Sequence, residues 1–254
     1  MIIVRRASER YHVRRIRQKV WFSYYSMRDH SEPIGDGLGA LMIFSEDVIS
    51  PDGRFWMSSN DTAEVVTYVL EGSISQKGSN GFDGTIYSGE FQHMMVSEKA
   101  HHSAANTSRL HAARIYQMWL FSELPTVDLQ HEQKRFSLAD RRAGLCVVAS
   151  PDGRGRSMRL HEDAVIISAV LDTGRHTVYE LSNGRASWLH VVRGAVSIAD
   201  TVLSSGDSAG ITSERAVSFT AREETEILLL DMQEQRLSPT RKENFDDRST
   251  KTAP

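Results

Sequence analysis

The chain has 254 residues, 30 Lys and Arg against 33 Asp and Glu, and a formal net charge of −3. That balance excludes a general electrostatic pull toward nucleic acid or an anionic membrane, and a 40% hydrophobic content excludes wholesale disorder. The single cysteine, Cys146, cannot form an internal disulfide, so nothing points to an oxidising compartment. Between Leu145 and Val147 it reads as a buried, inert thiol. No stretch approaches the ~20 apolar residues of a membrane span, and the opening Met-Ile-Ile-Val-Arg-Arg lacks the apolar core of a signal peptide. A cytoplasmic location is expected.

In chain order, Arg5, Arg6, Arg10, Arg14, Arg15 and Arg17 crowd the start. No aromatic stacking pattern accompanies them, so they read as a solvated rim, with no nucleic-acid or membrane partner expected. Residues 39–49 read as a strand that ends at the turn Ser50-Pro51-Asp52-Gly53. The glycine-rich run 78–84 lies between two strands and not before a helix, as a hairpin loop would. Residues 114–121 alternate, and 164–171 and 226–231 are apolar runs of strand length. The polar stretch 122–142, with Pro125, is expected to connect two units. This divides the chain into an N-terminal unit 1–130, a C-terminal unit 131–233, and a charged tail 234–254 expected to be disordered.

The strongest feature is a repeat. Thr67-Tyr68-Val69-Leu70-Glu71-Gly72-Ser73-Ile74-Ser75 has a counterpart in Leu189-His190-Val191-Val192-Arg193-Gly194-Ala195-Val196-Ser197. Ser88-Gly89-Glu90 likewise matches Ser205-Gly206-Asp207. Gly72 against Gly194 gives an offset of 122 and Gly89 against Gly206 one of 117. Two ordered matches at nearly one offset predict a duplicated all-β module of short strands, a sandwich or a barrel.

The run from Phe55 through Gly72, then Gly89-Glu90-Phe91-Gln92, then His102-Ser103-Ala104-Ala105-Asn106, resembles the pirin family. That family of bicupins includes quercetin dioxygenase-like proteins. Phe22-Ser23, Gly39-Ala40-Leu41, Asp47-Val48-Ile49, Gln117-Met118-Trp119, Glu132-Gln133-Lys134-Arg135-Phe136 and Ser150-Pro151-Asp152-Gly153 extend the resemblance over most of the chain. It implies an all-β bicupin fold: two stacked jelly-roll barrels, with a metal in the first only.

The family's metal motif is His-Pro-His with a Glu four residues on, followed by His-x-Glu. Here the first part reads Ser58-Ser59-Asn60 with Glu64, and the second His102-Ser103-Ala104. The resemblance therefore implies that three of four ligands are missing, at Ser58, Asn60 and Ala104, and that no metal or other cofactor is held. His93, His102 and Glu64 could together make a substitute two-His-one-carboxylate set. The plainer reading has His93 as a hydrogen-bonded buried ring and Glu64 as a satisfied carboxylate near the barrel mouth. His101 precedes His102 and on a strand points to the other face. His161, His176 and His190 are scattered and read as surface or packing residues. No Gly-x-Ser-x-Gly or phosphate-binding loop is present.

Two functional classes follow. One is a non-catalytic pirin-like protein that binds a small molecule or a protein partner in a sensory or regulatory role. The other is a metal-independent enzyme using His102, with His93 or Glu64, as general acid or base. Metal-dependent quercetin dioxygenase activity ranks behind both. In either leading class the expected pocket is the first barrel's interior, lined by Ser58, Asn60, His93, His102 and Ala104.

Overall fold

The computed structural model describes residues 1–26, 38–57, 59, 61–78, 83–97, 102–123 and 131–234. Ser58, Asn60, His101 and the expected disordered tail beyond Glu234 lie outside the described residues.

β1 (Ile2–Arg5) leads through a 3₁₀ turn at Ala7–Glu9 into β2 (Tyr11–Arg15), β3 (Gln18–Tyr25) and β4 (Leu41–Ile49). Then come β5 (Arg54–Met57), β6 (Ala63–Glu71), β7 (Ser73–Gly78) and β8 (Asp83–Tyr87). β9 (Glu90–Val96), β10 (His102–Asn106), β11 (Ala113–Phe121) and β12 (His131–Arg135) complete the first half. Helix α1 (Leu138–Ala143) joins it to β13 (Cys146–Ser150), β14 (Met158–Arg159), β15 (Ala164–Leu171) and β16 (His176–Glu180). The second half ends with β17 (Arg185–Arg193), β18 (Ala195–Ile198), β19 (Thr201–Ser204), β20 (Ser208–Ile211), β21 (Ala216–Ala221) and β22 (Thr225–Gln233).

The strands form two copies of one arrangement. The first barrel pairs a seven-stranded sheet, β12-β9-β6-β11-β4-β3-β2, with a four-stranded sheet, β5-β10-β7-β8. The second pairs β1-β20-β17-β22-β15-β13-β14 with β16-β21-β18-β19. The expected bicupin architecture is thus present. The repeat in the sequence is a repeat of backbone: Gly72 and Gly194 both adopt positive φ (77° and 86°) at the tight joints β6–β7 and β17–β18. At Gly194 a Cβ would come within 2.4 Å of the Glu224 carbonyl oxygen, so only glycine fits that joint.

Strand pairing divides the chain differently from a cut at residue 130. β12 closes the first barrel's large sheet against β9, while β1 crosses to pair with β20 of the second. The polar stretch expected to be a plain connection contains β12 and α1. A capping box starts the helix: Ser137 Oγ accepts from the Asp140 N–H, and Asp140 accepts from the Ser137 N–H at 3.0 Å. From that helix Arg141 reaches Tyr68 Oη of the first barrel at 3.0 Å and Glu226 Oε1 of the second at 2.7 Å.

The two large sheets pack face to face. Phe44, Val66, Tyr68, Phe91 and Tyr116 from one side meet Ile166, Trp188, Leu228 and Leu230 from the other in a continuous apolar layer. Each large sheet therefore has one face toward its sister barrel and the other toward its own interior. Cys146 packs beside this layer, half-buried where full burial was expected, and the partial burial raises its thiol pKa. No helix among the described residues is long and apolar enough to cross a membrane.

Candidate functional site

The polar residues of the first barrel sort by strand parity. On β6, Ala63, Val65 and Val69 join the barrel core, whereas Val66, Tyr68 and Leu70 join the layer between barrels. Thr67 keeps the inward parity and Glu64 the outward one. On β9, Met94 and Val96 point in and Phe91 points out, so Gln92 faces the interior and His93 the sister barrel.

His93 and Glu64 consequently meet between the barrels, both fully buried. His93 Nε2 lies 3.0 Å from Glu64 Oε1, in an approach that lacks hydrogen-bond alignment. Glu64 accepts the backbone N–H groups of His161 at 2.8 Å and Glu162 at 2.9 Å, both on the second barrel. Burial alone would raise the Glu64 pKa, but the His93 ring and the two amides outweigh it and hold the carboxyl below its ordinary value. The pairing of His93 with Glu64 is present, but on the opposite face from His102. His93 does not line the barrel interior, and Glu64 links the two barrels through the His161 and Glu162 amides.

His102 and Ala104 do face inward, beside Ala104's core neighbours Phe55 and Met57. His102 Nε2 lies 3.1 Å from the Met95 carbonyl oxygen; a carbonyl only accepts, so the ring proton sits on Nε2. Ala104 stands directly across β10–β7 from Gln76. A cross-strand row on the large sheet adds Gln92, Thr67 and Gln117 in register. Gln117 Nε2 approaches Met57 Sδ at 3.0 Å. Gln92 Nε2 donates to His131 Nε2 at 2.6 Å; burial, with His102 and His93 nearby, depresses the His131 pKa to about 4, so that ring is neutral at physiological pH.

Deeper on β4, Asp47 accepts from Gln18 Nε2 and Ser45 Oγ, each at 2.8 Å. Burial raises its pKa to about 6 despite those bonds. Several interior atoms have no hydrogen-bond partner among the described residues: Gln76 Nε2 and Oε1, Gln92 Oε1 and Thr67 Oγ1. Such orphans are uncommon in protein cores.

The second barrel provides an internal control. Counting from the matched glycines, Thr67, Gln76 and Gln92 correspond to Leu189, Ile198 and Ala209, all members of the second barrel's apolar core. Where Gln76 faces Ala104, Ile198 faces Phe219. At these three positions the second interior is apolar, with Ser187 as a buried hydroxyl nearby, while the first carries polar side chains within its apolar core. His190 lies outside that interior, in the layer between barrels, with Nδ1 2.8 Å from Ser208 Oγ and its ring 4.7 Å from that of Phe44. His176 is exposed and bonds Thr220 Oγ1. Among the described residues, no three His, Cys, Asp or Glu side chains group to hold a metal ion.

Gln76, Thr67, Gln92, Gln117, Asp47 and His131 were not singled out from the sequence as site residues. Extending the repeat alignment beyond its glycines would have exposed the first three, because polar residues there replace apolar counterparts.

Known proteins agree with this architecture. The family model described as Pirin matches residues 4–120, and the one described as Quercetinase C-terminal cupin domain matches 147–232. A protein named quercetin 2,3-dioxygenase from Escherichia coli K12 is 32% identical over 232 residues, covering 91% of this chain and 99% of that protein. A pirin-like protein of Caulobacter vibrioides is 27% identical, covering 82% of this chain and 90% of its own. The crystal structure of YhhW from Escherichia coli superposes with a TM-score of 0.82 at 30% identity, covering 93% of this chain and all of that one. A nickel(II) complex of bacterial pirin YhhW superposes at 0.80, covering 92% and 99%.

Proposed function

This chain belongs to the pirin family of bicupins, and from that membership we propose that its first barrel binds a small organic molecule by hydrogen bonds, without a resident transition metal, in a sensory or regulatory role. One observation carries the reading: Gln76 is fully buried, both atoms of its amide lack partners among the described residues, and its cross-strand neighbours are the small Ala104 and Gly84. An unpaired buried amide costs about 1–3 kcal/mol, and a ligand that satisfied it would recover that loss.

The family metal does not fit the donors present. Ala104 offers no donor atom, and His102, with its proton on the Nε2 that faces the Met95 carbonyl, keeps a lone pair on Nδ1 alone as a single imidazole donor. Glu64 is held by two amides of the second barrel. Ser58 and Asn60 would supply neutral oxygen or amide groups in place of imidazoles. Flavonol oxygenation, suggested by the names of the relatives, depends on such a centre and is expected at background.

A second reading rests on Asp47. An interior carboxyl with pKa about 6 is suited to general acid–base work near neutrality. Native mass spectrometry of freshly purified protein separates the readings. A small organic mass released on denaturation supports binding, and turnover of that compound abolished by Asp47→Asn would make the protein an enzyme. Stoichiometric metal lost in His102→Ala would overturn both.

A further inference from the structure

We propose that the ligand of the first barrel is uncharged and presents a hydrogen-bond donor and acceptor side by side, as a lactam or primary carboxamide does, paired to both atoms of Gln76. The inference rests on the small-molecule reading above and specifies the chemistry of that site. A carboxamide holds its oxygen and NH₂ in one plane, about as far apart as the two atoms of another amide edge. One partner can therefore satisfy both at once, as a glutamine does on an adenine edge. Both Gln76 atoms are orphaned, so the argument is unchanged if oxygen and nitrogen are exchanged. Gln92 Oε1 and Thr67 Oγ1 remain to bond further polar groups on the same ligand.

Charge points the same way. The described inward positions named here comprise amides, hydroxyls, neutral His131 and the acidic Asp47, with no lysine or arginine among them; the one nearby cation, Arg15, is exposed and its charge falls on Asp47. Arg114, from the same sheet, turns instead to Glu46 at 2.7 Å. A carboxylate ligand would lose its hydration without gaining a counter-charge. Across from Gln76 stands the methyl of Ala104, where the second barrel has the Phe219 ring. Met57, Met94 and Trp119 supply the apolar wall against which a flat ring can lie.

Isothermal titration calorimetry with 2-pyridone, benzamide, benzoate and phenol tests this on wild type, Gln76→Leu and Gln76→Glu, with each variant's folding checked by circular dichroism. Saturable binding of 2-pyridone or benzamide to wild type is expected. Dissociation constants should weaken at least tenfold in Gln76→Leu, with no binding of benzoate. Benzoate binding as tightly as benzamide, or amide binding unchanged in both Gln76 variants, overturns the inference. Phenol binding with neither amide bound also overturns it, while leaving a first-barrel small-molecule site in place. If no probe binds and native mass spectrometry finds no organic ligand, the inference and the functional reading fall together.

Discussion

Glu64 of the first barrel accepts the backbone N–H of His161 in the second at 2.8 Å. This bond, with that from Glu162 and the adjoining His93, places a buried carboxylate across the junction of the barrels. Removing it should weaken the junction. Glu64→Leu is expected to lower stability by about 3 kcal/mol in urea unfolding near neutral pH, since two buried amides lose their acceptor. Because the folded carboxyl titrates below its ordinary 4.5, the stabilisation is complete above that value and is lost as pH falls through the folded one. The variant should therefore show a smaller loss of stability on acidification than wild type.

Asp47 should behave in the opposite sense. Its folded pKa of about 6 exceeds the ordinary 3.8, so the folded state favours the protonated carboxyl and loses stability as pH rises through that interval. The difference corresponds to roughly 3 kcal/mol between about pH 4 and pH 8. Asp47→Asn should flatten that part of the stability profile, measured by denaturant melts at a series of pH values. A profile identical to wild type would mean that Asp47 is not held in the dry interior.

Gln76→Leu should raise the stability of the ligand-free protein. The change replaces an unpartnered buried amide by hydrocarbon of similar size, worth about 1 kcal/mol and a rise of roughly 2–4 °C in Tm. Differential scanning calorimetry after removal of any bound metabolite reads this directly. A lower Tm would mean that the amide is satisfied in solution.

Metal content follows from the donor set. After exhaustive dialysis, elemental analysis should find well under one equivalent of iron, copper, nickel or zinc, unchanged in His102→Ala. Oxygen uptake with flavonols should stay at background.

Much of this architecture was legible along the chain. The glycine-punctuated repeat predicted two copies of one β module because left-handed turns and period-two strands are local properties, encoded within a few residues of one another. The short helix and β12 were missed in a stretch that looked like a connection. The capping box at Ser137 and Asp140 was the available signal for the helix, whereas β12 is polar and owes its place to pairing with β9.

The lining of the site was only half legible. His102 and Ala104 were located from the metal motif, since substitution does not alter strand parity. His93 was expected to line the pocket, and Glu64 to act beside it as an acid–base or substitute-ligand candidate. Tertiary structure sends them to the other face. β6 is buried at eight successive positions, from Ala63 to Leu70, because one face meets the barrel core and the other meets the sister barrel. A strand covered on both sides carries no alternation of polar and apolar residues, so its sequence does not state which face is which. The sequence by itself determined that the chain makes two barrels and that Ser, Asn and Ala stand at 58, 60 and 104, where the family motif has metal-binding side chains. Only the packing of the two large sheets against each other decided that Glu64 fastens the barrels together while Gln76, Thr67 and Gln92 turn their unpaired groups inward.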